Sequence, residues 1–195
     1  AAVFAVLAFI AFSLLFIVYI YALISIGSLV KVLGINNTLT LDNYKYVFNF
    51  GRQAIKDTLI IACISTPLGG LVAVVTGYAA ERLKVRGHKV LELLSLLNFA
   101  LPGTVVGIAY VVAFNSKPLI LTGTLWILIS SYVFRYSSAG IRNVIAALQQ
   151  IEPSIEEASS SLGASSAVTF RKITLPLVMP AVLAGMKYLF IHSMT

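Results

Sequence analysis

The sequence predicts an all-α integral membrane protein, and three observations support this prediction. Of the 195 residues, 59% are hydrophobic and only 11% are charged, and the mean hydropathy is +0.95. Soluble proteins carry about 25% charged residues, so this chain has too little polar surface for a globule in water. Several uncharged runs have about the length that a helix needs to cross a bilayer. Because lipid offers the backbone no hydrogen-bond partners, these runs are predicted to be α-helices.

The uncharged runs predict where the spans lie. They cover residues 1–30, 58–80, 93–116 and 118–134. A fifth, weaker span is predicted near 175–195, interrupted only by Lys187. We therefore expect a first transmembrane helix over 1–33, an external loop over 34–57, and a core of four further spans over 58–195. The chain starts at Ala1 and stops inside an apolar stretch, so we expect a piece of a longer polypeptide, incomplete at the C-terminus.

The connectors between the spans predict the orientation. Residues 81–92 hold four basic side chains in twelve residues, which favours the cytoplasm. Alternation then places 34–57 outside and 135–174 inside. The longer segments 31–57 and 135–172 hold four basic residues each, so the orientation depends on the short loop. The aromatic residues between Tyr44 and Phe50 are expected to anchor the outer segment at the interface.

Charge and residue chemistry exclude two other classes of function. The net charge is +7, but the basic residues lie in connectors between spans, so nucleic-acid binding is not expected. The histidines are His88, in a basic loop, and His192, and the uncharged spans hold no carboxylate. Neither a catalytic group nor a metal-ligand cluster is therefore predicted, and we do not expect an enzyme.

The segment 135–174 is long and moderately polar, and it is predicted to be structured. Ser154 stands three residues before Glu157, the spacing of a reciprocal cap at a helix start. Gly163 can close that helix in the left-handed conformation. A second short helix is predicted from Ser165 or Ser166, and Pro176 suits the first turn of the fifth span. Two short helices with exposed apolar faces predict a binding partner.

This segment resembles the signature of a known family of membrane transport proteins. The matching residues are Glu157, Ala158, Ser159, Gly163, Ile173, Leu175 and Pro176. At this spacing they resemble the coupling motif of type I binding-protein-dependent ABC importer permeases. The one departure is Ser159, which stands where the motif has a second alanine. Residues 41–44, 80–82, 101–103 and 180–185 resemble the same family. The overall similarity is to ferric iron permeases, although putrescine, sulfate, thiamine and phosphonate permeases share this frame.

The resemblance implies a fold and a set of partners. It implies a type I ABC importer transmembrane domain, multi-pass in the lipid of the bacterial inner membrane, with a coupling helix in the cytoplasmic loop 135–174. That helix would dock on a cytoplasmic ABC ATPase dimer. An extracytoplasmic solute-binding protein would deliver the solute, and a second permease half would lie on the same chain or on a homologous subunit.

ATP hydrolysis is expected on a separate subunit, and no cofactor is expected on this chain. The Walker A pattern for ATP binding does not occur in the sequence, so the partner ATPase subunit would use the ATP. The alternative in another class is a gradient-driven secondary transporter.

Three polar residues in the predicted spans are candidates for lining a translocation path: Asn98, Lys187 and His192. Lys187 lies eleven residues beyond Pro176, or roughly 16 Å into the bilayer at about 1.5 Å per residue. A charge at that depth is costly, which favours an aqueous path, a partner in the other half, or snorkelling. For His192 a structural hydrogen bond is the alternative.

Overall fold

The structure is a computed structural model that describes residues 2–83, 87, 90, 93, 97 and 100–194. Residues 1–56 and 57–195 form two compact units. Three of the described helices are long and apolar enough to cross a membrane, over Val3–Ser28, Arg52–Glu81 and Ser166–Ser193. The prediction of a helical membrane protein is confirmed, while the count of five spans stays a prediction.

The first unit combines one long helix with a hairpin and a short helix. Its elements are α1 (Ala2–Ser28), β1 (Val30–Val32), β2 (Asn36–Leu39) and α2 (Asp42–Phe50). We predicted that the first helix ends at residue 33, but it ends at Ser28. The next residues form the strand β1, which pairs antiparallel with β2. Gly34 in the turn has φ +82°, a conformation that glycine adopts without steric cost.

The predicted interfacial segment of this unit is the helix α2. The side-chain amide of Asn43 donates to the carbonyl oxygens of Ser28, at 3.2 Å, and Val30, at 3.0 Å. These bonds fix the start of α2 beside the end of α1. The rings of Tyr46 and Phe50 lie 4.7 Å apart, as expected for an aromatic cluster on one turn of a helix.

The second unit contains the remaining elements. They are α3 (Arg52–Glu81, which begins in the first unit), α4 (Gly103–Ala113), α5 (Leu125–Gln149), α6 (Pro153–Ser161), α7 (Ser166–Thr169), a π-helical turn (Phe170–Thr174) and α8 (Leu175–Ser193).

Two of these helices extend beyond the uncharged runs that predicted them. The helix α3 begins at Arg52 rather than at residue 58. The helix α5 begins at Leu125 rather than at residue 118, and it continues through Arg135 to Gln149, so the loop predicted over 135–174 begins much later. Lipid solvates a charged side chain poorly, but a charged side chain does not by itself end a helix. At its start, α5 is preceded by Gly123 with φ +83° and by an extended Thr124, which stop it from extending towards residue 118.

The span predicted over 93–116 is interrupted. Leu93, Leu97 and Ala100 are helical, but Pro102 is extended and α4 begins only at Gly103. Proline has no amide to continue the helical ladder, and it disfavours the helical conformation of the residue before it.

The second short helix predicted from Ser165 or Ser166 does not end before the fifth span. Instead, α7, the π-helical turn and α8 follow each other without a break from Ser166 to Ser193. The amide of Leu175 bonds the carbonyl of Phe170, five residues earlier, which is the wider turn of a π-helix. Pro176 follows at once and lies in the first turn of α8 as predicted, but α8 continues from the π-helical turn and does not start as a separate helix.

Small residues bring α3, α5 and α8 close together. A Cβ on Gly185 would lie 2.5 Å from the Cα of Gly140, and one on Gly77 would lie 2.7 Å from the side chain of Val144. Near their cytoplasmic ends, according to the predicted orientation, the same helices share an apolar core that consists of Val74, Val144, Leu148, Val178 and Val182. Such close approach is how membrane helices gain packing energy in the absence of a hydrophobic driving force.

Candidate functional site

The predicted coupling motif begins on α6, whose start differs from the prediction. Glu152 is the extended residue before the helix and Pro153 occupies its first turn, and no described side chain caps the free amides. The hydroxyl of Ser154 donates to the Glu152 carboxylate at 3.2 Å instead of capping the helix with Glu157. The predicted capping box is therefore wrong. Pro153 already holds the backbone angle that the first helical residue requires, so the helix starts one residue before Ser154.

Gly163 ends α6 as predicted. Its φ is +83°, and its amide bonds the Ser160 carbonyl at 2.9 Å while the amide of Ala164 bonds the Ser159 carbonyl at 3.2 Å. These two bonds form the Schellman motif, which satisfies carbonyls that the helix end leaves free. A Cβ at Gly163 would meet none of the described residues within 4 Å, so only the backbone conformation requires glycine here.

Ser159, the departure from the family motif, forms a buried contact between the two short helices. Its hydroxyl lies 2.8 Å from that of Thr169, and the two residues are 9% and 5% exposed. This contact joins α6 to α7 and fixes the angle of the α6–α7 hairpin, which we define as residues 153–169.

The other motif residues divide between surface and core. Glu157 and Pro176 are exposed, and Ala158 and Ile173 line a groove on the α6–α7 hairpin. Leu175 packs against the apolar core that α3, α5 and α8 share. The motif therefore has one set of residues that faces outward and another that holds the hairpin on the membrane helices.

The groove is apolar and open. It is lined by Ile155, Ala158, Ser159, Leu162, Ala164, Val168, Lys172 and Ile173. Leu162 is 89% exposed at the end of α6, and Ile155 and Val168 are 43% and 42% exposed. Exposed large apolar side chains that cluster in this way are typical of a protein-binding surface.

Three polar residues that are not among the predicted site residues hold α6 against the membrane helices. Arg82, just after α3, donates from Nε to the Glu156 carboxylate at 3.2 Å. The hydroxyl of Thr174 donates to the same carboxylate oxygen at 2.8 Å. Only an indirect signal in the sequence points to them, since Arg82 lies in the segment 80–82 that resembles the family and Glu156 precedes the motif glutamate.

The candidate path residues lie in different surroundings. Lys187 is exposed and lines a shallow apolar depression beside Thr66. His192 packs against aromatic rings: its ring centroid lies 4.0 Å from that of Tyr188 and 5.3 Å from that of Tyr136. Five residues apart on one helix, Lys187 and His192 point about 140° from each other. Asn98 lies outside the described residues.

Comparison with known proteins adds a family and several relatives. Residues 65–195 match the family of binding-protein-dependent transport system inner membrane components. A putative ferric transport system permease protein of Haemophilus influenzae is 41% identical over 94% of this chain and 30% of its own length. A ferric transport system permease protein of Actinobacillus pleuropneumoniae is 40% identical over 90% of this chain and 26% of its own length.

A more distant relative has a different solute in its name. A putative 2-aminoethylphosphonate transport system permease protein of Salmonella typhimurium is 33% identical over 69% of this chain and 51% of its own length. The chain thus spans about half or less of the length of each of these relatives.

Proposed function

Because the chain belongs to the family of binding-protein-dependent transport system inner membrane components, we propose that it is a permease part of an ATP-driven importer. It is a multi-pass membrane component, and its relatives are transport permeases rather than enzymes. In this proposal an extracytoplasmic binding protein delivers the solute, and a separate pair of ATPase subunits supplies the energy.

The observation that carries this proposal is the exposed groove on the α6–α7 hairpin. The hairpin is internally fixed by the buried pair of Ser159 and Thr169, yet Leu162 at its tip is 89% exposed. A rigid body with an unpaired apolar tip is suited to docking into a cleft on another protein, because little conformational entropy is lost on binding. We assign the ATPase subunit as the protein that covers this groove.

The mechanism follows from how the hairpin joins the membrane helices. The hairpin follows α5 after a short connection and continues into α8 without a break. When ATP closes the two ATPase subunits, each would carry its docked hairpin with it, and the hairpin would displace the ends of these helices. Rigid-body movement of packed helices is a known means of switching between two accessible states, here open to the outside and open to the cytoplasm.

Ferric iron is the solute that the comparisons favour. The two ferric permeases share 41% and 40% identity with the chain over most of its length, against 33% over a shorter stretch for the phosphonate permease. For the path, we propose that Lys187 faces the translocation route or the second permease half, because this lysine is an exposed residue that lines an apolar depression. The aromatic packing of His192 supports a structural role for that residue.

The test is uptake of radiolabelled Fe(III) by the full-length protein together with its ATPase and binding protein. Sulfate, putrescine, thiamine and 2-aminoethylphosphonate are measured alongside. ATP-dependent uptake of iron alone would support both the class and the solute. ATP-dependent uptake of another solute would contradict the iron assignment only. Uptake that follows an ion gradient and persists without ATP would contradict the importer and favour a secondary transporter.

A further inference from the structure

Arg82 joins three parts of the second unit through one side chain. It follows α3 directly, and its Nη2 donates to the carbonyls of Leu148, at 3.1 Å, and Ile151, at 2.7 Å, at the end of α5. Its Nε donates to Glu156 on α6 at 3.2 Å. The planar guanidinium is suited to this task, because its donors point in fixed directions and can serve several acceptors at once.

Glu156 extends the connection to a fourth element. The carboxylate oxygen that accepts from Arg82 also accepts from the hydroxyl of Thr174 at 2.8 Å. Thr174 is 1% exposed and is the last residue before α8. We call Arg82, Glu156 and Thr174 the coupling triad, since together they link α3, the end of α5, α6 and the start of α8.

The coupling triad is the main polar attachment of α6 to the membrane helices among the described residues. Only Ser159 is buried on α6, and its side chain bonds within the α6–α7 hairpin. The side chains of Arg82 and Glu156 are 11% and 19% exposed, so their ion pair is largely shielded from solvent. A shielded pair resists separation, because moving one partner leaves the other charge poorly solvated.

The triad adjoins a packed region that joins the same helices. Tyr78 of α3 contacts Phe170 of the π-helical turn edge to face, with centroids 4.9 Å apart. Both rings pack against the apolar core formed by α3, α5 and α8. Because packed interiors deform little, a displacement that reaches the triad is passed to these helices as a body.

We propose that Arg82 is a positioning residue for energy coupling, which acts through Glu156 and Thr174 so that movement of α6 displaces α3, α5 and α8 together. This proposal rests on the proposed function, and it assigns to the coupling triad the transfer of movement that follows docking. It predicts a loss of coupling rather than a loss of docking when the triad is broken.

The experiment uses the full-length protein reconstituted in vesicles with its ATPase and loaded binding protein. The variants are Arg82→Gln, Glu156→Gln and their double variant, with Glu152→Gln as the control. Glu152 is an exposed carboxylate just before α6, so Glu152→Gln makes the same charge change as Glu156→Gln but outside the triad. The readouts are copurification of the ATPase, the rate of ATP hydrolysis and the number of Fe(III) ions imported per ATP.

We expect each single triad variant to keep ATPase copurification and hydrolysis but to import about tenfold less solute per ATP, within the range of known coupling effects. The double variant should import no less solute per ATP than either single variant, because each single variant already breaks the link between Arg82 and Glu156. Arg82→Lys should restore part of the ratio, since it keeps the charge but not the forked geometry. Glu152→Gln should match the wild type.

Other outcomes would overturn the proposal. A wild-type solute-to-ATP ratio in Arg82→Gln, or losses that multiply in the double variant, would show that the triad is not one link in coupling. If Arg82→Gln fails to assemble, Thr174→Val provides a second test, because it removes one hydrogen bond at nearly constant volume. A wild-type solute-to-ATP ratio in Thr174→Val would also overturn the proposal. If the wild-type protein itself shows no ATP-dependent uptake of any tested solute, the proposed function fails instead.

Discussion

The hydroxyl groups of Ser159 and Thr169 lie 2.8 Å apart in a buried contact between α6 and α7. Ser159 occupies the position where the family motif has alanine, and it is 9% exposed. A serine is tolerated there because Thr169 gives its hydroxyl a partner, so burial does not leave the polar group unsatisfied. The departure from the motif is thus compensated within the α6–α7 hairpin.

Ser159→Ala should therefore be mild and Ser159→Leu severe. Alanine removes one hydrogen bond, which lowers stability by about 1 kcal/mol, while the Thr169 hydroxyl can turn to a helical carbonyl. Leucine would separate the two helices and tilt the groove. We expect uptake within about twofold of wild type for alanine. For leucine we expect a loss of most uptake, since overpacking typically lowers stability by about 1–3 kcal/mol. Thr169→Val is the matched variant, and its melting temperature should fall as in Ser159→Ala. A complete loss of uptake in Ser159→Ala would contradict this account.

Gly163 provides a test of backbone conformation without steric interference. Its φ is +83° and no described residue crowds it, so Asn, Ala and Val substitutions differ only in how well they adopt the left-handed region. Asparagine should retain most ATPase binding. In alanine the left-handed conformation at the end of α6 should be about 1–2 kcal/mol less favourable, and in valine less favourable still because it is β-branched, so ATPase binding should fall in that order. The measurement is copurification of the ATPase subunit with each variant.

Gly123 is the control for this series. It has the same φ of +83°, and a Cβ there would have no neighbour within 4 Å in the described part of the chain, but it lies before α5 rather than in the α6–α7 hairpin. Gly123→Val should strain its own turn without weakening ATPase binding. Equal losses of ATPase binding in Gly123→Val and Gly163→Val would indicate general destabilisation and would contradict a specific role for the end of α6.

The close approach of α5 and α8 predicts a strong effect of one methyl group. A Cβ on Gly185 would lie 2.5 Å from the Cα of Gly140, so Gly185→Ala must push the two backbones apart. We expect the free energy of unfolding to fall by about 1–3 kcal/mol, which a lower melting temperature of the purified protein would reveal. Gly107→Ala on α4 is the control, since nothing lies within 4 Å of its Cβ among the described residues. If both variants melt alike, the packing of α5 on α8 is not as tight as described.

The sequence predicts the long helices well because lipid constrains them strongly. Uncharged runs locate α1 and α3, and Gly163 is identified because few other residues tolerate its conformation. The ends of the helices are less predictable, since α3 and α5 continue through charged residues such as Arg52 and Arg135. A charge-based criterion detects what lipid will solvate, whereas a helix ends where its backbone is blocked or capped.

The contact of Arg82 with Glu156 could not be predicted from sequence spacing. The two residues are 74 positions apart, and their distance depends on how α3 packs beside the start of α6. Local rules such as capping and helical periodicity carry no information about that arrangement. The same limit explains why the motif spacing points to Glu157, which the structure leaves exposed, rather than to Glu156.

The exposed tip of the groove gives a direct test of docking. Leu162→Ser removes an apolar side chain that is 89% exposed and does not support the core. If Leu162 is buried in the ATPase, losing about 1.5–3 kcal/mol of burial weakens binding by about tenfold or more. Leu39→Ser, at a leucine that is 82% exposed in the first unit, should leave ATPase binding unchanged. Unchanged affinity in Leu162→Ser would exclude this groove as the docking surface.

Lys187 and His192 are expected to respond differently because they lie on different faces of α8. Lys187 is exposed in an apolar depression, where a charge is costly unless it faces water or another protein group. Lys187→Met should therefore reduce uptake severalfold while the protein inserts and melts normally. His192 packs between tyrosine rings, and its Nδ1 lies 2.9 Å from the Tyr188 carbonyl, so His192→Phe should lower the melting temperature but keep uptake per assembled complex. Rates of uptake normalised to purified complex distinguish the two effects. Wild-type uptake in Lys187→Met would remove the lysine from the path, and a selective loss in His192→Phe would place the histidine there instead.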